Sequence, residues 1–406
     1  MRRSVCVATI VATMALGVVS AAQTAAQTLS LADATTRALD ANPAIRAARL
    51  QRPVDAAGIA VAGERPNPEL AYELSKETPR QSIGATVPIE LGGKRASRID
   101  LARATAAVSD ADLERLVAET RNDVRRAYYD LVAARLRVDL ADEVRALADR
   151  ARTAAAARVT AGDVPRADLT QADLVLAISD NDLIAARGDT AASAATLNML
   201  LGQPLDTPLT LANSLADEPP FTVSNALTVA ATTNTELQVF DRRIDEQRLR
   251  IALARALTKP DIAAGSTLTY DAEPEFRYGW RLSAGVTLPL FTRHQATVVV
   301  EDATLARLMA ERQAAAARVA GSVSAALERA TAARAQASHY QTVILPLALE
   351  AERQAEAAYA GGQTGLPALT QALQTARDTR QRGLQAGLDY QHALADLERA
   401  IGAPIR

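Results

Sequence analysis

Aromatic residues are scarce in this chain and cysteine is nearly absent. Trp, Tyr and Phe together make up 3% of the 406 residues, whereas alanine, arginine, leucine and the acidic residues are abundant. Two compact cores need more bulky side chains than this, so the composition favours long helices in mutual contact. The formal net charge of −2 provides no basic surface, which argues against a nucleic-acid partner.

The only cysteine, Cys6, lies in an N-terminal segment with the features of a cleaved secretory signal. Two arginines precede an apolar run over residues 5–19, and small residues stand before the candidate cleavage points after Ala22 and Ala26. We expect residues 1–26 to be a signal peptide, because about 15 apolar residues are short for an anchor across a ~30 Å hydrocarbon core. The mature chain would then lack disulfides, thiol chemistry and a lipid anchor.

A fifteen-residue pattern of helix, turn and helix occurs twice, at residues 158–172 and again at 358–372. Each copy turns at a glycine, Gly162 or Gly362, and continues into an identical Leu-Thr-Gln-Ala. Each returning helix also ends on a Gly-x-Pro sequence, which is a helix stop. The sequence therefore predicts one unit of about 200 residues that is present twice.

This duplication sets the expected domain boundaries. The first structural repeat covers residues 27–202 and the second covers residues 225–406. In each repeat we expect a helix, a β-hairpin, a very long helix, a tight turn and a returning helix. Between them, residues 203–224 contain four prolines and predict a linker or a small irregular equatorial belt outside the helices.

The expected hairpins, residues 68–91 and 260–291, alternate apolar and polar residues with a period of two. Their strands approach the roughly ten residues of a tilted transmembrane strand. Tyr270, Tyr278 and Trp280 lie near the turn of the second hairpin, where aromatic residues suit a membrane girdle. An ordinary soluble hairpin with one buried face is the alternative. No stretch after the signal reaches the ~18 apolar residues of a membrane-spanning helix, so contact with outer-membrane lipid would use these strands.

Helical patterns fill the rest of the chain. A helix is expected over residues 29–63, kinked or interrupted at Pro43 and Pro53. After each hairpin comes an alanine-rich pattern of about 65 residues, and in the first copy its apolar residues recur every 3.5 positions, as in a coiled coil. Four transmembrane strands cannot close a barrel, because an open edge cannot remain unpaired in lipid. The chain must therefore form an oligomer if these strands span a membrane.

Taken in order, these motifs resemble the TolC-type outer-membrane efflux proteins. The resemblance rests on the duplicated hairpin and long helix, the paired glycine turns, and the Leu-Pro-Leu-Phe strand end at residues 288–291. Residues 90–95, Glu-Leu-Gly-Gly-Lys-Arg, look most like the heavy-metal branch, the outer-membrane component of cobalt-zinc-cadmium exporters. The implied fold is mainly α with a small β part: long coiled-coil helices plus two transmembrane β-hairpins per chain, forming an α/β barrel as a trimer.

The resemblance also implies a function and a location. The protein would be the outer-membrane channel of a tripartite efflux system, a passive homotrimeric conduit whose helical tunnel crosses the periplasm. Its partners would be a periplasmic membrane-fusion adaptor and an inner-membrane pump of the RND type or another pump class. Divalent heavy-metal cations would be the cargo, which implies a role in heavy-metal resistance. Organic drug efflux or type I secretion is the alternative within the family.

The same resemblance assigns roles to particular residues. The two turns would form the adaptor-docking tip, which comprises Gly162, Asp163, Val164, Gly361, Gly362, Gln363 and Thr364. Related proteins often narrow the tunnel with aspartates just after the second turn, but Ala368 and Gln371 occupy those positions here. Asp168, in the first repeat, and Gln371 are the candidate tunnel constriction. A solvated aspartate at the start of a helix is the alternative for Asp168.

Nothing in the sequence predicts an enzyme, a cofactor site or a metal site. His294, His339 and His392 lack metal-ligand spacing, and neither a phosphate-binding glycine loop nor a catalytic triad order is present. A soluble periplasmic coiled-coil scaffold or adaptor is the alternative of a different class. It would share the signal peptide and the helices but would not need the alternating strands.

Overall fold

The computed structural model describes residues 28–217, 226–274 and 276–404. The expected signal peptide lies outside these residues, as does the end of the equatorial segment. The described elements, in chain order, are α1 Leu31–Ala41, α2 Pro43–Arg49, α3 Gln51–Ala62, β1 Glu69–Leu74, β2 Gln81–Ile89, α4 Lys94–Ala161, α5 Arg166–Leu200, α6 Ala226–Thr233, α7 Thr235–Leu257, β3 Asp261–Ala272, β4 Phe276–Thr287, α8 Gln295–His339, α9 Leu345–Ala360 and α10 Leu366–Ile401.

The helix that opens each repeat is broken by an asparagine. The Asn42 side chain accepts hydrogen bonds from the first N–H groups of α2, and Asn234 does the same for α7. The prediction of a second break at Pro53 in the first repeat was wrong, because the chain bends at Leu50, between α2 and α3. Pro53 is the third residue of α3, where its missing N–H costs nothing because no carbonyl of the preceding turn waits for it.

Each asparagine also ties its break to the end of the returning helix of the same repeat. Asn42 Nδ2 donates to the Leu200 carbonyl at 3.2 Å, and Asn234 Nδ2 donates to the Ala400 carbonyl at 2.8 Å. The glycine that follows each returning helix, Gly202 or Gly402, has a positive φ and lies against the backbone of the broken helix. The two repeats therefore share one helix-end junction in addition to their turns.

Helix α4 is the axis of the molecule, because its 68 residues extend about 100 Å at 1.5 Å per residue. On the side towards the sheet it packs against α3 and α7, and α7 packs against α8. On the side towards the turns it packs against α5 and α10, and α10 packs against α9. Many of its buried residues are alanines, so neighbouring helices approach closely at little cost in side-chain entropy.

The long helix of the second repeat has the expected length, residues 295–360, but one of its turns is not α-helical. A π-helical turn, Tyr340–Ile344, separates α8 from α9, and the Leu345 N–H bonds to the Tyr340 carbonyl, five residues back. Pro346 follows at once and explains the turn, because an α-helical carbonyl at Thr342 would clash with its ring. In the first repeat α4 contains no such proline between Lys94 and Ala161 and remains helical throughout.

The described part of the equatorial segment lies against the middle of α4. Leu29 forms a parallel bridge with Leu211, and the buried Tyr128 hydroxyl donates to the Leu29 carbonyl at 2.7 Å. The same hydroxyl accepts the N–H groups of Ala212 and Asn213. Tyr128 thus joins α4 to both the start of the described chain and the equatorial segment.

One antiparallel sheet contains the four strands in the order β1-β2-β3-β4, so both hairpins join through β2 and β3. The register places Leu70, Ala85, Ser266 and Leu282 in one row, on the face that carries most of the bulky apolar side chains. The opposite face carries small, polar and charged residues. Among the described residues, no helix has an apolar stretch of the length and hydropathy required to cross a membrane.

Candidate functional site

The two glycine turns have the same backbone geometry. Gly162 has φ +80° and Gly362 has φ +71°, the left-handed conformation that glycine adopts without strain. In the first turn the N–H of Asp163 bonds to the Arg158 carbonyl at 2.9 Å. In the second the N–H of Gln363 bonds to the carbonyl five residues back, again at 2.9 Å. This bonding pattern closes the ends of α4 and α9 in the same way.

Space does not require glycine at either turn. A Cβ atom on Gly162 or Gly362 would meet no atom within 4 Å, so only the positive φ demands glycine there. Gly162, Asp163, Gly361, Gly362 and Gln363 are exposed, whereas Val164 and Thr364 are half-buried. The turns therefore present backbone and small polar groups to the solvent.

The helices that leave the turns begin without a side-chain cap. Pro165 precedes α5 and Gly365 precedes α10, and neither supplies an oxygen to the first N–H groups. Asp168 is the acidic residue in the first turn of α5, where a carboxylate is favourable beside unpaired N–H groups. In the second repeat Ala368 has the equivalent place, since its N–H bonds to Gly365 O as that of Asp168 bonds to Pro165 O.

The two turns are packed beside each other. The guanidinium of Arg158 lies 5.3 Å from the ring centroid of Tyr359, which joins the end of α4 to the end of α9. Behind it, Ala155, Ala172 and Leu369 form a small buried cluster from α4, α5 and α10. The two helical hairpins therefore form one tip.

Ion pairs along the first hairpin fix α4 against α5. Arg152 Nε lies 2.8 Å from Asp173 Oδ1, and Arg145 Nε lies 2.6 Å from Asp180 Oδ1. The hydrogen bond with each aspartate raises the pKa of its arginine. All four side chains are about half-exposed, so these ion pairs add little to the free energy of unfolding. Their main effect is to fix the register of α4 against α5.

At the opposite end of the molecule, the aromatic residues expected as a girdle lie on the apolar face of the sheet. Tyr270 and Tyr278 pair across β3 and β4, with ring centroids 5.2 Å apart, and Trp280 pairs with Leu268. Trp280 is 75% exposed. Exposed aromatic side chains on an apolar sheet face need a partner other than water.

Sequence reasoning missed the junction between the sheet and the helices. Lys94, the first residue of α4, is buried, and its Nζ lies 2.6 Å from Asp261 Oδ2 at the start of β3. Four residues on, Arg98 pairs with Glu90 at the end of β2 and donates to the carbonyl of Glu64. The Gly-Gly-Lys-Arg sequence marks this place but gives no sign of Asp261, which is distant along the chain.

Comparison with known proteins supports the reading of this architecture. Residues 34–203 match the sequence profile of the family described as "Outer membrane efflux protein". The cobalt-zinc-cadmium resistance protein CzcC of Cupriavidus metallidurans is 26% identical over 383 residues, which cover 93% of this chain and 91% of CzcC. Residues 34–203 are thus similar to outer membrane efflux proteins, and nearly the whole chain is similar to CzcC.

Solved structures of outer-membrane channels have the same fold. The Campylobacter jejuni CmeC channel superposes with a TM-score of 0.78 at 14% identity, covering 93% of this chain and 86% of CmeC. A CusC structure gives 0.76 at 16% identity, with 92% of both chains covered. The open state of the Neisseria gonorrhoeae MtrE channel gives 0.74 at 19% identity, covering 92% and 89%.

The matched family is described as outer membrane efflux proteins, and this chain has the fold of solved outer-membrane channels. The mainly α, TolC-like fold expected from the sequence is confirmed. Proteins of this family are channels rather than enzymes, and they work in tripartite systems with an adaptor and an inner-membrane pump.

Two arginines of α10 connect the helices of the tip half, and no sequence pattern predicted their role. Arg377 lies 2.6 Å from Asp182 of α5, while Arg380 pairs with Glu352 of α9 and, at 3.1 Å, with Glu143 of α4. A single helix thus holds the other three helices of the tip half. Arginine suits this position because its planar guanidinium can bind two carboxylates at once.

The three histidines lie in different parts of the fold. His294 precedes α8 with φ 52°, and His339 ends that helix. His392 Nε2 lies 2.9 Å from Asp130 Oδ1. Among the described residues, no group of three or more histidine, cysteine and acidic side chains is placed to hold a metal ion.

Proposed function

We propose that three copies of this chain form a passive outer-membrane conduit that exports divalent heavy-metal cations, with its tip docked on a periplasmic adaptor. The observation that carries this proposal is the matched pair of exposed glycine turns at the far end of the helices from the sheet. Helix ends with exposed backbone groups can hydrogen-bond to the ends of another protein's helical hairpins. An inner-membrane pump, of the RND type or another class, would supply the energy.

The sheet supports the proposed trimer. The four strands leave β1 and β4 as open edges, and strands in lipid must be paired on both sides. Three chains give 12 strands, an even number within the range of membrane barrels. Tyr270, Tyr278 and Trp280 would then lie in the aromatic girdle of this barrel.

The cargo is inferred from the relative. CzcC, named for resistance to cobalt, zinc and cadmium, aligns with nearly the whole chain, turns and strands included. Asp168 would supply three carboxylates per trimer near the tip. Gln371, about one helical turn beyond the position equivalent to Asp168, would contribute a neutral polar ring. A ring of acidic side chains favours cations in a narrow passage.

Proline at the turns tests the docking tip. Gly162→Pro and Gly362→Pro are incompatible with the positive φ at these positions, because the proline ring fixes φ near −65°. The ion pairs that hold the helical hairpins together lie away from the turns, so the proline variants should leave them intact. We therefore expect normal amounts of heat-resistant trimer in the outer membrane but loss of export. Gly188→Ala, a change on the open surface of α5, is the matched control and should leave both unchanged. Normal export by both proline variants would refute the docking role.

A deletion strain distinguishes the cargo. We expect increased sensitivity to zinc, cobalt and cadmium, restored by the wild-type gene and not by the proline variants. Unchanged metal tolerance with lost tolerance to organic drugs would instead assign the protein to drug efflux. Recovery of a soluble periplasmic species on fractionation would favour a coiled-coil scaffold and refute the channel.

A further inference from the structure

Each open edge of the sheet carries charged residues of a single sign, and the two edges have opposite signs. β1 carries Glu69 and Glu73, while β4 carries Arg277 and Arg281. Between them, residues 81–89 of β2 and 262–270 of β3 contain no charged residue. Asp261 and Asp271, near the two ends of β3, are the charged residues of the inner strands, and Asp261 is already paired with Lys94. The sheet therefore has an acidic edge and a basic edge, separated by inner strands whose central residues are uncharged.

All four charged side chains project from the same face. The register pairs Glu69 with Thr86 and Ala71 with Gly84, and it continues through Thr267 to Arg281. Because side chains alternate along a strand, Glu73 shares the face of Glu69, and Arg277 shares that of Arg281. This is the face opposite Trp280 and the exposed leucines, so in a barrel it would face the lumen.

The spacing of the charges also matches. On each edge the two charged residues are four positions apart, or about 13 Å along the strand. In an antiparallel pairing of β1 with β4 of another chain, a register that brings Glu73 opposite Arg277 brings Glu69 opposite Arg281. Residues one step away on the diagonal remain within reach of an arginine side chain.

Within one chain these side chains stay exposed. The ion pairs seen at the sheet, Lys94 with Asp261 and Arg98 with Glu90, lie below the strands at the helix junction. The Arg277 guanidinium rests 5.6 Å from the ring centroid of its neighbour Tyr278. The edge charges are therefore available to a partner.

We propose that the partner is a second copy of this chain, and that Glu69 and Glu73 of one copy form ion pairs with Arg277 and Arg281 of the next. This ionic seam on the lumen face deepens the proposed trimer and rests on it. The seam selects how edges meet: pairing β1 with β1, or β4 with β4, would place like charges opposite each other and is disfavoured. Only head-to-tail pairing satisfies both edges, and head-to-tail pairing is what closes a ring.

Charge reversal tests the seam. Glu69→Lys with Glu73→Lys, and separately Arg277→Glu with Arg281→Glu, should each lower the fraction of heat-resistant trimer at least several-fold, because like charges then face each other. The quadruple variant, which exchanges the signs of the two edges, should recover it. Glu77→Lys with Glu273→Lys, which changes two exposed acids in the hairpin turns, is the control and should behave as wild type.

Disulfide trapping measures adjacency without relying on charge. The expected mature chain contains no cysteine, so one of Glu69 or Glu73 and one of Arg277 or Arg281 can each be replaced by cysteine. At least one of these four pairings should give covalently closed trimers on non-reducing gels, whereas Thr86→Cys with Arg277→Cys, which uses the interior strand β2, should not.

The outcomes separate the seam from the trimer. A wild-type protein that is not trimeric would overturn the proposed assembly itself. A trimer that is insensitive to charge reversal, or that cross-links while the quadruple variant fails to recover, would overturn the ionic seam and leave the trimer standing. Loss on reversal and recovery on exchange would support the seam.

Discussion

Replacing Gly402 by alanine separates two reasons for which this chain needs glycine. Gly402 and Gly162 both have φ +80°, so both substitutions impose the same backbone strain. They differ in surroundings, since a Cβ on Gly162 meets nothing within 4 Å while one on Gly402 would lie 2.5 Å from the Thr233 carbonyl oxygen. Gly188 has an ordinary helical conformation and open space around it, so Gly188→Ala introduces neither backbone strain nor a steric clash.

The magnitudes follow from these contacts. The left-handed conformation costs alanine about 1 kcal/mol, which is the full expected effect of Gly162→Ala. At Gly402 the backbone of the α6–α7 junction must also move away. That movement would disturb the helix cap of Asn234 and its bond to Ala400, each worth about 1 kcal/mol. We expect Gly402→Ala to cost about 3 kcal/mol, and Gly188→Ala to stabilise by about 0.5–1 kcal/mol.

Urea unfolding in detergent, followed by the helical circular dichroism signal at one fixed protein concentration, measures these differences. The 2 kcal/mol between the two left-handed sites corresponds to about a 30-fold change in the unfolding equilibrium. Equal losses at Gly402 and Gly162 would show that strain alone governs both positions. The junction between the broken helix and the returning helix would then contribute nothing to stability.

Two further changes test the sheet junction and the middle of α4. Asp261→Asn should destabilise the protein by about 3 kcal/mol, because it leaves the Lys94 side chain, which is only 7% exposed, without a carboxylate partner. Lys94→Met should cost about 1 kcal/mol, because the carboxylate that it leaves unpaired is 36% exposed. Equal unfolding midpoints for the two variants would contradict this. Burial raises the pKa of Tyr129 to about 12, so its contribution to stability is complete below pH 10 and is lost as pH rises from about 10 to 12. The loss should reach about 2–3 kcal/mol, and Tyr129→Phe should reduce it. An unchanged loss in the variant would contradict this assignment.

The sequence was most informative where a period or a duplication determines the structure. The alternation of apolar and polar residues predicted the two hairpins. It also predicted which side of each strand carries the apolar residues, because successive side chains of a strand point to opposite faces of the sheet. The glycine turns were equally readable, since Gly162 and Gly362 stand where an alanine-rich helical pattern stops and a proline soon follows. The roles of these turns in docking remain a prediction.

Helix breaks were harder to place because they depend on tertiary contacts. The break at Asn42 lies next to Pro43, as predicted, whereas Pro53 lies inside α3 and the second break is at Leu50. The π-helical turn before Pro346 has no counterpart in the first repeat, so the duplication did not predict it. Lys94 and Asp261 meet only when two separate hairpins form one sheet, and no local pattern in the sequence records that contact.

The π-helical turn makes the two arms of the tip mechanically unequal. It lies about 18 residues from Gly362, so the second arm has a joint roughly 27 Å above its end. The first arm, built on α4, has no joint between its turn and the sheet. A load applied at Gly162 therefore travels along an unbroken rod to Lys94 and β3, whereas a load at Gly362 is absorbed as bending near Pro346. In a ring of three chains, stiff first hairpins and more flexible second hairpins would alternate around the tip of the tunnel.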